Sequence, residues 1–381
     1  MKIIILSPTN EGTIAKCSSA LYEALMGENN VDVKFFSLYK YACGEPILND
    51  CDYLVDRTVD SSADCNIWKK IKWVRDLKKS FNADIVVSTL TSTSMLNVLS
   101  GWNSHKIGIF HAPKAQSKAF GKLYYFKTLL TYYFIFPFLN KCYCVSHETK
   151  TDLEKVPTIK RNRIDVVYNI HNLGVIEDLS KEELNIEHSV IFSKPVVLYC
   201  GRLDDNKAPI RAINAIEKIK DTNLQLVLIG PDPYNMWETL REMIPVKSRH
   251  KIHYLGPQQN PYKFMARSTM LISCSYSEGL PGVIIEALSL KVPVVATNSS
   301  QGVWEIMGGH QKYDENMSTM EIFDDGIITS NLSLKDKVKY EFDVQNLISA
   351  IEYLLAHKLP LSFNFGKDVH KASIVNKFIK P

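Results

Sequence analysis

Short runs rich in Ile and Val, separated by stretches of helical spacing, recur along most of this chain and limit what it can fold into. They are Ile3 to Leu6, Val31 to Phe36, Asp84 to Val87, Lys106 to Phe110, Tyr143 to Val145 and Ile164 to Val167. After a charged interval they resume as Pro195 to Cys200, Leu224 to Ile229, Ile252 to Leu255, Met270 to Cys274 and Val292 to Ala296. A strand that is apolar on both faces must be covered on both, so these runs predict parallel sheets sandwiched between helices. The 381 residues hold roughly two domains of about 150 residues each. The expected fold class is therefore α/β, with two Rossmann-like domains. The polar interval from His171 to Lys194 marks the boundary. It gives an N-terminal domain over 1–180 and a second domain over 190–345. The remaining segment, 346–381, is expected to add helices that pack back toward the first domain. Phe342 to Leu355 and Gly366 to Phe378 both have helical spacing, and no further strand is expected there.

Composition narrows the class further. The chain is 45% hydrophobic and 23% charged, with 45 basic against 41 acidic side chains and a formal charge of +4, which excludes disorder, collagen and coiled coil. Glycines and prolines follow no period, so a repeat array is not expected. The apolar run from Met1 to Pro8 is too short for the core of a signal peptide and reads as a buried first strand. Cys17, Cys43, Cys51, Cys65, Cys142, Cys144, Cys200 and Cys274 show no paired Cys-x2-Cys spacing. They are expected to be reduced core thiols in a cytoplasmic protein, neither disulfides nor zinc ligands.

Ligands of open parallel sheets bind beyond the carboxyl ends of the strands, where helix N-termini and loop amides converge. The positions that follow the expected strands are Asn10 to Thr13, His111, Gly201-Arg202, Gly230 to Asp232, Gly256-Pro257 and Ser277 to Gly279. In Ser277 to Leu290, Pro281 suits a first helical turn, and the helix is expected to run to Leu290 with Glu286 as its only charge. Apolar neighbours on nearly all faces mark that helix as buried, and a buried carboxylate needs a polar partner. The partner could be protein or ligand. With Glu278 on the preceding loop, two carboxylates could hold separate hydroxyls of one polyhydroxy ligand while loop amides between them suit an anion. A second cluster, Tyr199 to Lys207, puts Arg202 and Lys207 ahead of a helix over about Ala208 to Ile219. Those cations suit a diphosphate; the alternative is a solvated turn in which they pair with Asp204 and Asp205.

The GR-x4-K loop, the two glutamates in S-EGLPGVII-EAL and the following KVPVVATNSSQGVWEI resemble the C-terminal domain of family 4 retaining glycosyltransferases, whose B-type fold implies parallel sheets of two Rossmann-like domains facing across a cleft, with 1–180 on the acceptor side. The likeness is strongest from Val196 to Met307; IFHAP around His111, CVSHET and VVYN resemble family landmarks in order. The resemblance implies that Arg202 and Lys207 bind the donor diphosphate and that Glu286 accepts the ribose hydroxyls. It also implies that Glu278 touches the transferred sugar and that His111 reaches that sugar from the N-terminal domain. Gly279, Leu280, Gly282, Val283, Gly201, Gly302 and Gly12 would line the donor. Many members have adjacent glycines where this chain has Glu11-Gly12-Thr13. A uridine diphosphate sugar is the expected donor, guanosine diphosphate the other possibility, and no metal or other cofactor is expected. Asp204-Asp205 and Asp324-Asp325 read as solvated carboxylates, and Trp304 and Glu305 as packing and surface charge. A histidine at a strand end also commonly bonds a backbone carbonyl, which is the alternative for His111.

From Ser100 to His147 there are six lysines (Lys106, Lys114, Lys118, Lys122, Lys127, Lys141) and no acidic residue. The aromatic run Leu123 to Phe138 lies within that window and is too short, and too interrupted by Lys127, to span a bilayer. It reads either as an interfacial segment on an anionic membrane or as an amphipathic core helix. The expected partners are a nucleotide-sugar donor, a lipid-linked or lipopolysaccharide glycan acceptor and an anionic membrane surface, with no nucleic acid. The expected activity is transfer of a hexose-type sugar with retention. A sugar-nucleotide epimerase of the same architecture and a non-catalytic nucleotide-binding module are the rivals.

Overall fold

The computed structural model describes residues 1–9, 12–41, 51–57, 64–111, 121–221, 223–308, 313–314, 316–331 and 336–380. Its contacts divide the chain into two compact units, Met1–His171 with Asp368–Pro381, and Asn172–Lys367.

The first unit is a sheet of β1 (Lys2–Thr9), β2 (Asp32–Tyr41), β3 (Asp52–Arg57), β4 (Ile85–Thr89), β5 (His105–Phe110), β6 (Lys141–Cys144) and β7 (Ile164–Val166). Its strand order is β3-β2-β1-β4-β5-β6-β7, every pair parallel. Ile3, Ile4, Ile5 and Leu6 of β1 are buried on both faces, as a central parallel strand requires. The connections carry α1 (Gly12–Met26), α2 (Ile67–Phe81), α3 (Leu90–Leu99), α4 (Lys122–Phe134) and α5 (His147–Glu154).

The second unit begins with α6 (Leu173–Ser180) and α7 (Ile186–Phe192). Strands β8 (Val196–Cys200), β9 (Gln225–Ile229), β10 (Ile252–Tyr254), β11 (Met270–Ser273) and β12 (Val294–Thr297) follow, with a hairpin of β13 (Glu321–Phe323) and β14 (Gly326–Thr329). Between them run α8 (Pro209–Lys218), α9 (Met236–Met243), α10 (Tyr262–Met265), α11 (Gly282–Ser289), α12 (Gln301–Met307) and, last, α13 (Lys337–Ala356). The order β10-β9-β8-β11-β12-β14-β13 repeats the first sheet's pattern, with only β13 antiparallel. Val197, Leu226, Ile272 and Val295 pack under α8 and α13 residues such as Ile216 and Leu347 in one core. The chain then rejoins the first unit as α14 (Lys371–Ile379). There Tyr143 Oη donates to the Lys377 carbonyl at 2.6 Å, and Lys377 Nζ reaches the Val166 carbonyl at 2.7 Å.

Every strand expected from an apolar run is present, and both units are Rossmann-like. Three strands were not legible. Edge strand β3 is bounded by Asp52, Asp56 and Arg57, edge strand β13 has only three residues, and β14 offers just two isoleucines after Gly326. The unit boundary falls at 171/172, at the start of the polar interval. Helix α6 is tied to the second unit by Asn260 Nδ2 donating to the Leu179 carbonyl (2.8 Å) and Arg267 to that of Ser180 (3.1 Å). Of the segment 346–381, only residues from Asp368 onward join the first unit, because α13 packs on α8 and β14. Among the described cysteines, only Cys142, Cys144 and Cys274 are buried, whereas Cys17, Cys51, Cys65 and Cys200 are half-buried; Cys43 lies outside the described residues. No described helix is long and apolar enough to cross a membrane.

Because residues 172–367 are contiguous and enclose their own core, a fragment of that span should melt in one cooperative transition. A fragment 190–345 lacks α6 and the end of α13 and should melt at lower temperature or not cooperatively; circular dichroism melts compare the two.

Candidate active site

In the second sheet the direction of winding reverses between β8 and β11, so the loops leaving those strands diverge and open a crevice at their carboxyl ends. The β8 loop is held from both sides. Gly201 N–H donates to the Ile229 carbonyl (2.9 Å), and Tyr199 Oη donates to the Arg202 carbonyl (2.8 Å). Gly230, at φ +143°, lies so close that a Cβ there would stand 2.0 Å from the Gly201 oxygen, which only glycine permits. The loop ends at Ala208, buried and left-handed (φ +47°), a conformation costing an alanine about 1–2 kcal/mol. Its N–H donates to the Asp204 carbonyl at 2.9 Å.

Arg202 and Lys207 both sit on this loop, each facing a carboxylate. Arg202, 60% exposed, pairs with Asp204 through Nη2 (2.8 Å) and Nε (2.9 Å). Lys207 Nζ lies 2.5 Å from Glu278 Oε1 on the β11 loop. Asp204 is not the solvated carboxylate expected from sequence. It is buried, and its second oxygen accepts the Lys207 N–H at 2.7 Å, so one carboxylate shapes the turn that carries both cations. Asp325 is likewise buried and accepts the Phe363 N–H at 2.8 Å; Glu305 is buried too. The two loops are stitched together by Tyr276 N–H donating to the Asn206 carbonyl (2.8 Å) and Asn206 Nδ2 to the Ser277 carbonyl (2.9 Å).

Helix α11 follows at Gly282, and its N-cap, Pro281, makes no side-chain cap. First-turn amides have no intrahelical acceptor, so this end of α11 attracts negative charge. The helix is not enclosed on all faces. Ile284, Ile285, Ala287 and Leu288 are buried, but Gly282, Val283 and Glu286 share a half-open stripe, with Leu280 buried just ahead. Glu286 therefore meets solvent as well as the Tyr262 hydroxyl of α10, at 3.4 Å; burial beside the Glu286 charge raises the Tyr262 pKa. Gly302 is buried under the loop. A Cβ there would come 2.0 Å from the Gly279 oxygen, so its smallness seats the Gly279 backbone on α12.

Arg202, Lys207, Glu278, Gly279 and the start of α11 are thus brought together. Gly12 and His111 belong to the first unit. Gly12 opens α1 after β1; Asn10 and Glu11 lie outside the described residues. His111 follows β5 and lines a cavity of about 20 Å³ with Cys17, Ser18, Thr89, Asn169 and Phe378. Its Nε2 is buried without a hydrogen-bond partner, so the simple carbonyl-bonded alternative does not describe that nitrogen. Among the described residues no group of three or more His, Cys, Asp or Glu side chains is placed to hold a metal ion. Sequence reasoning did not find Tyr262, and nothing in its local pattern marks it.

Burial pushes His111 and His171 down to about 4, from 6.5. Below about pH 6.5 the unfolded chain takes up protons that the folded chain refuses, so stability falls as pH drops from about 6.5 to 4 and is level above. Thermal melts across that range should show the decline, and a His111→Asn, His171→Asn double variant should show a shallower one.

Residues 194–322 match the glycosyl transferases group 1 family. An uncharacterized glycosyltransferase of Methanocaldococcus jannaschii is 29% identical over 183 residues, 47% of this chain and 45% of that protein. A second relative is the N-acetylgalactosamine-N,N'-diacetylbacillosaminyl-diphospho-undecaprenol 4-alpha-N-acetylgalactosaminyltransferase of Campylobacter jejuni. It is 30% identical over 157 residues, 41% of each chain. The matched segments span less than half the length of either relative. Among solved structures, Anabaena HepE in complex with UDP superposes with a TM-score of 0.70 at 13% identity, covering 100% of this chain and 99% of that one. The fold is that of the B-type glycosyltransferases, and within the second unit residues 194–322 are similar to the group 1 glycosyltransferases.

Proposed function

We propose that this protein transfers a hexose-type sugar, with retention, from a uridine diphosphate donor to a lipid-linked glycan in surface polysaccharide assembly. The observation that carries the reading is the convergence of Arg202, Lys207, Glu278 and the uncapped start of α11 at the reversal of the second sheet. Breaking a sugar–diphosphate bond leaves negative charge on the departing phosphate, and fixed cations and amides lower that barrier. In this reading Arg202 and Lys207 leave their carboxylates to bind the diphosphate, joined by the amides of Gly282 and Val283. Glu286 takes the ribose hydroxyls and Glu278, released by Lys207, a sugar hydroxyl. Gly201, Gly279, Leu280 and, indirectly, Gly302 shape the wall. No metal is assigned a role. The undecaprenol-linked substrate in the Campylobacter relative's name supports the acceptor class, and the UDP bound in HepE supports the base.

In a thermal-shift panel, UDP and a UDP-sugar should raise the melting temperature more than GDP does. Arg202→Ala or Lys207→Ala should each weaken UDP about ten- to hundredfold, since a charged hydrogen bond is worth about 1.5–3 kcal/mol. An undiminished response in both variants refutes the diphosphate role. Conversion of the free UDP-sugar without any acceptor would identify an epimerase instead.

Helix α4 supports attachment to an anionic membrane, because it is built inside out. Thr128, Thr131 and Tyr132 face the core, the two threonine hydroxyls donating to the Tyr124 and Lys127 carbonyls at 3.0 Å. Leu123 (68% exposed), Phe126, Leu130 and Phe134 (70%) face outward, continued by Phe138. A core helix would show the reverse. Lys122 and Lys127 are exposed on the same helix, and each basic residue near an anionic surface adds roughly 1 kcal/mol; Lys114 and Lys118 lie outside the described residues. The full chain should float with phosphatidylglycerol vesicles at low salt. A Leu123→Ser, Phe126→Ser, Phe134→Ser variant should stay in the dense fraction with unchanged melting temperature. Failure of the unaltered chain to float overturns the attachment.

A further inference from the structure

Beneath the β11 loop lies an ion pair that the proposed chemistry does not use. Arg211, on the first turn of α8, and Asp343, on α13, are both 0% exposed, with Nη2 2.6 Å from Oδ2. From the same guanidinium Nη1 donates to the Asn331 amide oxygen (2.9 Å) and to the Cys274 carbonyl (3.3 Å), and the group lies 4.7 Å from the centre of the Tyr276 ring. Asn331 Nδ2 in turn donates to the Tyr276 carbonyl (2.9 Å) and the Asn298 carbonyl (3.3 Å). Asp343 is completed by the Ser330 hydroxyl at 2.6 Å. One buried cation therefore grips the chain where β11 becomes the loop of Glu278, and it is anchored by α13 and by the segment after β14.

Such a pair contributes little net stability, because the desolvation of two ions offsets their attraction; apolar residues of similar volume would often serve as well. What an apolar pair cannot do is direct hydrogen bonds at the Cys274 carbonyl and the Asn331 amide. Arg211 Nε is even left buried without a partner, a cost accepted although Nη1 and Nη2 are both engaged. We infer that Arg211, Asp343 and Asn331 form a buried clamp whose work is to position the 274–281 loop, and with it Glu278 and the approach to α11. These are positioning residues. The consequence for donor binding rests on the function proposed above; the clamp itself does not.

The test uses the full-length chain with two variants, Asn331→Ala and Arg211→Met combined with Asp343→Leu, read by amide hydrogen exchange without ligand and by UDP affinity. The N–H groups of Tyr276 and Glu278 are bonded to the Asn206 and Ser299 carbonyls and so report the loop directly. In both variants, exchange over 274–281 should accelerate at least tenfold while exchange in the β8 and β9 strands holds. UDP should bind about tenfold more weakly. Asn331 is only partly buried, so if the double variant fails to fold, Asn331→Ala decides. Unchanged loop exchange in a folded variant overturns the clamp. If the unaltered chain binds no UDP, the donor reading falls, and loop exchange still decides the clamp on its own.

Discussion

The reversal of strand order between β8 and β11 is the constraint on which the second unit's chemistry depends. Two loops that leave neighbouring parallel strands toward opposite faces cannot cover the gap between them, so a crevice is the default. The chain spends its special residues on the walls of that gap. Gly230 and Gly302 admit backbone where a methyl group cannot fit, Asp204 folds the turn, and Ala208 holds a left-handed corner under strain. Each places a charged side chain or an amide; none makes the sheet more stable by itself.

How much of this could be read in advance follows from how locally each feature is written. Strands buried on both faces write themselves as apolar runs, so both sheets and their ligand edges were legible, and edge strands β3 and β13 were not. The GR-x4-K loop and the glutamates at 278 and 286 were found because their spacing lies within one loop and one helix. Pairings between distant segments leave no such trace. Arg211 and Asp343 are 132 residues apart, and either alone reads as a surface charge. Which unit takes α6, at the start of the polar interval, is equally invisible locally, since it is claimed by Asn260 and Arg267, far along the chain.

Helix α4 shows a further limit. Its composition is amphipathic in either orientation, and only the structure tells which side faces in. Two threonines can face the core because their hydroxyls return to carbonyls one turn back on the same helix, which removes most of the penalty for burying them. That satisfaction frees the aromatic side for another surface.

The pairing of Lys207 with Glu278 and of Arg202 with Asp204 has a kinetic side. With each positive group answered by a negative one, the crevice projects little long-range field. Diffusional capture of an anion there should therefore gain little from electrostatic steering and should respond weakly to ionic strength. Under the proposed function, recognition is deferred to the moment of contact, when the diphosphate displaces both carboxylates together. A small inorganic ion reaching only one of them has little to offer in exchange, so the resting charge balance acts as a filter for ligands long enough to engage both.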